Sequence, residues 1–222
     1  MLRLDGGSHS AAPRSPQPAA TAPPVSPDAA ERRAAAQRND RGVQAQADGL
    51  VQRETRESCS LSLPGVGGIN CRQDTDGAAV GQEIAAVAKT ETARARALLD
   101  KTLGQVPDAG DRREIARSLI DNLASDDLRR LAAAPSGSAM LQRARTELRN
   151  DGLPNDGEQK AIARVDTAIK AAQLSSDPAF SRLDAATRTR VLDQITRHET
   201  DAAAVDNIVA LAESRPELRP VP

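Results

Sequence analysis

Large apolar residues recur at three- and four-residue steps from Ala79 onward. Val80, Ile84, Val87, Ala88, Ala95, Leu98 and Leu99 form the stripe of an amphipathic helix. A second helix is expected from Asp111, where Asp111 and Glu114 have capping-box spacing and Ile115, Leu119, Ile120 and Leu123 point inward. A short third helix follows Ser125, with Leu128 and Leu131 inward. Asp126 and Asp127 occupy its first turn, favourable against the helix dipole.

Pro135-Ser-Gly-Ser138 breaks the chain before a fourth helix that carries Met140, Leu141, Ala144 and Leu148 and ends near Asn150 to Gly152. Asp156 and Gln159 again have capping-box spacing and open a fifth helix with Ile162, Val165, Ile169 and Ala172 on one face. Asp177 and Pro178 read as an N-cap and a first-turn proline. Phe180, Leu183, Val191, Leu192 and Ile195 follow. A last helix holds Val205, Ile208, Val209 and Ala212 and stops before Pro216. No run alternates apolar and polar in the manner of a strand. The fold class is therefore all-α, a single helical bundle of about six or seven helices.

The N-terminal third differs. Pro13, Pro16, Pro18, Pro23, Pro24 and Pro27 recur among Ala and Ser, so residues 1–28 read as an extended tail. Residues 29–47 are rich in Ala, Arg and Gln and carry few large hydrophobes to hold a helix against a core. Residues 48–78 read as a linker that contains both cysteines. The expected organisation is a disordered tail and linker over 1–78 and a helical bundle domain over 79–218.

Composition sharpens that division. Hydrophobic residues make up 39% of the 222, but much of this is Ala. Leu, Ile, Val and Phe together reach only about 18%, just under the level at which disorder becomes a serious reading. There is one Phe and no Trp or Tyr, so the core must be thin. The net charge of −1 carries no basic excess, and aromatic stacking platforms are missing, which argues against a nucleic-acid partner. No stretch reaches the roughly 20 apolar residues of a membrane span, and the N-terminus lacks the apolar centre of a signal peptide. The chain is expected in the cytoplasm or exported by a route independent of a signal peptide.

The candidate chemistry is sparse. Cys59 and Cys71 bracket a loop containing Gly and Pro, and are inert thiols, a candidate disulfide pair, or reactive or metal-binding thiols. Twelve positions apart and with no His nearby, they lack zinc-site spacing. Gly65-Val-Gly67-Gly68 lacks the Lys-Ser/Thr ending of a phosphate loop and reads as flexible linker. His198-Glu199 has the first two residues of a zinc-protease motif, but Ala202 stands where the second His belongs. Arg112, Arg113 and Arg117, Arg129 and Arg130, and Arg143, Arg145 and Arg149 alternate with acids and read as solvated faces. No catalytic, cofactor-binding or metal-binding residue is assigned, and no cofactor is expected.

One internal echo exists: Ser176-Asp-Pro178-Ala-Phe180 is similar to Ser214-Arg-Pro216-Glu-Leu218, an offset in the range of helical repeats. The stretch Leu119-Ile-Asp-Asn-Leu-Ala-Ser-Asp-Asp-Leu-Arg-Arg-Leu-Ala132 is followed by Gly137, Leu141, Leu148, Gly152, Glu158, Ile162 and Arg164. Together they resemble helical segments of large exported bacterial proteins, including polymorphic toxins and secreted effectors. The segment from Asp177 through Leu183 to Leu211 resembles their helical spacer repeats, and the Ser/Pro/Ala-rich N-terminus resembles the uncleaved signal of type III effectors. The likeness spans about half the chain, rests on spaced hydrophobes and transfers no catalytic residue. It implies a non-enzymatic, effector-like interaction domain of a secreted or secretion-associated bacterial protein. The helices would meet a protein partner, the tail would meet a secretion chaperone, and no toxin domain is expected after the helices. Two readings stand beside it: a cytoplasmic adaptor or regulator, and an enzyme whose site is assembled from dispersed residues.

Overall fold

The computed structural model describes residues 27–61, 69–150 and 152–214. In chain order these form α1 (Pro27–Glu54), β1 (Thr55–Leu61), β2 (Ile69–Thr75), α2 (Gly77–Thr90), α3 (Thr92–Gln105), α4 (Ala109–Asp121), α5 (Ser125–Ala133), α6 (Pro135–Arg149), α7 (Asp156–Ser176), α8 (Pro178–Ser181), α9 (Ala185–Arg197) and α10 (Ala202–Ser214). The fold is all-α, with one two-stranded antiparallel ribbon inserted between α1 and α2. The chain divides into two compact units, residues 1–38 and 39–222. The described part of the first is helical, with exposed arginines at Arg32, Arg33 and Arg38.

The second unit begins well before residue 79. Val43, Ala47 and Leu50, at i, i+4 and i+7 on the later part of α1, are buried in the core. Polar bonds flank that stripe. Lys101 pairs with Asp40 and donates to Gln44, and Gln105 donates to Asp48. Three inward residues are too few to lift the local apolar density, so composition hides the helix from a sequence reading. The expected linker over 48–78 is likewise replaced. It holds the end of α1, the ribbon and the start of α2. Thr55 faces Thr75 in register, and the ribbon is tied down at that end. Asp76 N donates to Glu54 O, and Thr75 N donates to the buried Asp111 carboxylate.

The described residues hold ten helices where six or seven were expected. The single stripe read across Val80 to Leu99 is two helices. Glu91 breaks it at φ −130°, ψ 71°, without a proline or glycine to mark the place. Caps also move. Asp108, not Asp111, caps α4 by accepting from Gly110 N and Asp111 N, which leaves Asp111 for the ribbon. Asn155 and Glu158, not Asp156 and Gln159, form the capping box of α7. Pro135 is the first residue of α6 and does not interrupt it. Asp177 caps α8 ahead of Pro178, as its spacing predicts.

Close helix crossings depend on small residues. A Cβ at Gly81 of α2 would lie 2.5 Å from Ile115 O and 2.8 Å from Leu119 N of α4. Ser118 Oγ then reaches Ala78 O at 2.7 Å across the same crossing.

The buried residues form two clusters. The larger joins α1 through α7 and includes Ile84, Leu98, Leu99, Ile115, Leu119, Leu131, Met140, Leu148 and Val165. The smaller holds Ala171, Leu174, Phe180, Ile195, Val205 and Ala212. Helix α7 serves both: Ala161 to Ala168 lie in the first and Ala171 to Leu174 in the second. No helix among the described residues is long and apolar enough to cross a membrane. The expectations for residues 1–26, for Gly65 to Gly68 and for Arg215 to Leu218 lie outside the described residues.

Candidate functional site

Arg164 on α7 joins three partners from other parts of the chain. Its side chain is only 15% exposed. Nη1 donates to Ile120 O and Nη2 to Leu123 O, both at 2.9 Å. These carbonyls lie at the C-terminal end of α4, where the last turn leaves acceptors without helical donors and the dipole favours a cation. Nε donates to Glu199 Oε1 at 2.8 Å.

Glu199 follows α9 and collects three helices. Its Oε2 accepts from Ser125 Oγ at 2.5 Å, placing a carboxylate at the first residue of α5, where negative charge is favourable. Thr167 Oγ1 of α7 donates to Glu199 O at 2.9 Å. Beside this network, Ser125, Leu128, Arg164, Thr167, Ile195 and Glu199 line a void of about 10 Å³, the lower bound for one water. The carboxylate is occupied by a guanidinium and a hydroxyl, so the cluster acts as a clasp between α4, α5, α7 and the α9–α10 junction.

Other internal carboxylates are used in the same manner. Glu147, whose side chain is 4% exposed, meets Arg143 Nη2 at 2.7 Å and Arg112 Nε at 3.4 Å. Arg112 also donates to Val106 O and Pro107 O. Asp166 receives Arg145 at 2.7 Å and Arg149 at 3.4 Å. Arg117, Arg129 and Arg130 pair with acids three or four positions away, as their alternation implies.

His198 and Glu199 separate in role. His198 is exposed and ends α9, its backbone N–H donating to Gln194 O and Ile195 O. Glu199 turns inward to the clasp. Among the described residues, no group of three or more His, Cys, Asp or Glu side chains is placed to hold a metal ion. Cys59 and Cys71 lie on β1 and β2 and are direct partners in the ribbon's register, so the fold brings these two positions together.

The sequence reading overlooked Arg164 as a network centre. A signal existed: positions 160, 161, 167 and 168 carry Lys, Ala, Thr and Ala, so Arg164 has no acid at i±3 or i±4, unlike Arg117, Arg129 and Arg130. Arg164 meets its acid 35 positions away, at Glu199.

The surface feature least explained by the fold is α10. Its residues, AAAVDNIVALAES, are apolar on nearly every side, a pattern normally found in fully enclosed helices. Yet only Val205 and Ala212 are buried. Ile208 and Val209 are half-covered, and Leu211 is 57% exposed. Ala204, Ile208 and Leu211 stand at i, i+4 and i+7, a stripe at the margin of the buried one: Ala204 and Ile208 are partly covered, Ile208 against the smaller cluster, Leu211 is open, and uncharged Asn207 and Ser214 flank it. By contrast, a concavity of about 750 Å³ on α9 is lined by that helix alone and is an open flank. No protein-family model matches the chain, no curated protein matches it, and no solved structure matches it.

Proposed function

We propose that residues 39–214 are a non-enzymatic protein-interaction module of a secreted or secretion-associated bacterial protein, and that the marginal stripe of α10 receives an amphipathic helix from a partner. The observation that supports this is the mismatch between the composition of α10 and its exposure. The resemblance to exported effector proteins supports the cellular setting. The seven residue steps from Ala204 to Leu211 make a stripe about 10 Å long, matched by two turns of a partner helix. Such a stripe offers a few hundred Å², less than the roughly 800 Å² per partner of a stable dimer, so a second copy is not the occupant. With uncharged flanks, recognition is by apolar contact more than by charge steering.

The test is titration of the isotope-labelled protein with a synthetic amphipathic Leu/Ala/Lys helix peptide. Amide shifts centred on Ala204, Ile208 and Leu211, abolished by Leu211→Asp in a variant with unchanged circular dichroism, are the expected result. Shifts centred elsewhere, or concentration-dependent self-association lost in Leu211→Asp, overturn the assignment. Export is tested separately by a reporter fused to the N-terminal residues, and a reporter retained in the cytoplasm removes that part of the reading.

A further inference from the structure

We infer that Cys59 and Cys71 form a reversible disulfide that covalently closes the ribbon between α1 and α2. They are the only two cysteines in the chain. The antiparallel register runs from Thr55 opposite Thr75 to Leu61 opposite Ile69 and sets Cys59 directly opposite Cys71.

The type of pairing follows from the bonds at the base. Asp76 N donates to Glu54 O, so 54 and 76 are a hydrogen-bonded pair. Pair types alternate along an antiparallel ladder. Hence 55 and 75, 57 and 73, and 59 and 71 are all non-hydrogen-bonded pairs. In such pairs the Cα atoms approach to about 4.5 Å and side chains on one face are closest. That distance falls within the range of about 4.4–6.8 Å that a disulfide spans.

The same face already shows a direct cross-strand contact. Thr55 Oγ1 and Thr75 Oγ1 are 3.1 Å apart, and Cys59 lies four residues along from Thr55, at the same parity. The ribbon also needs a cross-link. Its strands, TRESCSL and INCRQDT, hold few β-branched or aromatic residues, and a lone two-stranded ribbon is marginal in water.

The chemistry is thiol–disulfide exchange with a disulfide oxidant, either a small molecule or an oxidoreductase. One cysteine thiolate attacks a sulfur of the oxidant and expels a thiolate. The other then attacks the mixed disulfide and expels the second. The protein loses two electrons and two protons, and the oxidant is reduced to two thiols. The result is a ribbon pinned at its base by Thr75 and Asp111 and cross-linked near its far end, opened again by thiol reductants.

The full chain is equilibrated with reduced and oxidised glutathione, alkylated and weighed intact. The expected product is an unalkylated monomer about 2 Da lighter than the dithiol. Reduction should accelerate proteolytic cleavage within residues 55–75 while the helical circular dichroism holds. A register control carries Cys59→Ser with Ser60→Cys, which moves one thiol to the opposite face. Its internal disulfide should form at least about tenfold less favourably. Two alkylated thiols in the parent under oxidising conditions overturn the inference, and so does equal cross-linking in the register control.

Discussion

Arg164 and Glu199 are 35 positions apart in the chain, yet their Nε and Oε1 atoms lie 2.8 Å apart, and the same guanidinium holds two carbonyls at the end of α4. Truncating Arg164 to Ala leaves the Ile120 and Leu123 carbonyls and the Glu199 carboxylate without their main donor. The expected cost is about 2–4 kcal/mol. Glu199→Gln keeps one side-chain oxygen to accept from Arg164 Nε and turns an amide NH2 toward Ser125 Oγ, whose hydroxyl can accept, and should cost about 1 kcal/mol. A urea-denaturation cycle with Arg164→Ala, Glu199→Ala and the double variant should give a coupling of about 1–2 kcal/mol. Additive losses would show that the two side chains stabilise the fold independently.

Glycines on two helices should respond with opposite signs. Gly81→Ala drives a methyl to 2.5 Å from Ile115 O, so α2 and α4 must move apart, at about 1–3 kcal/mol. Gly49→Ala on α1 meets nothing within 4 Å and should raise stability by about 0.5–1 kcal/mol. Thermal melts of the two variants check both signs.

Leu50 tests the membership of α1 in the folded unit. It is 2% exposed, and Leu50→Ala should cost about 2–5 kcal/mol. Leu153, 96% exposed, should tolerate the same change to within about 0.5 kcal/mol. A Leu50→Ala midpoint equal to that of the parent would return residues 39–54 to the expected tail and linker.

These contrasts show what the chain reveals unaided. The stripes through Ile115, Leu119 and Leu123, through Ile162 and Val165, and through Val205 and Ala212 are legible because burial repeats every three or four residues. The ribbon is not, since its strands TRESCSL and INCRQDT are mostly polar and its base is held by Asp76 N–H on Glu54 O and Thr75 N–H on the Asp111 carboxylate. The Arg164 clasp draws Ser125, Thr167 and Glu199 from three distant segments, and no local spacing encodes that meeting. The exposed flank of α10 is half legible. Its composition is plain in the sequence, but which side is covered depends on packing.

Asp184 supplies a pH signature. It caps α9, and its carboxyl sits below its ordinary value because the Thr187 hydroxyl and then the Thr187 backbone N–H donate to it. A depressed folded value means the cap's contribution is present above the ordinary carboxylate range and fades as pH falls through the folded value. Carbon-detected titration of the Asp184 carboxyl should give a midpoint below 3.8. Thr187→Val, which keeps the backbone donor, should move it part of the way back. A midpoint unmoved by that change would remove the hydroxyl as the main cause.

Helix α7 enters both buried clusters, and this gives the molecule two levels of cooperativity. Its last two turns extend beyond the larger cluster and serve as a mast on which α8, α9 and α10 are hung. Those three helices hold few fully buried side chains of their own. Their polar moorings to the rest are the Arg164–Glu199 clasp, the Thr167 bond to Glu199 O and the Lys170–Asp206 pair. Loss of these moorings would uncover Leu174 and Phe180, and the edge of the larger cluster at Leu128, while leaving α2, α3, α4 and α6 packed on one another. Residues 178–214 are therefore expected to loosen as a unit at a free energy below that of global unfolding. The partner helix proposed for α10 would act on this weaker rank of the structure and tighten it ahead of the stronger one.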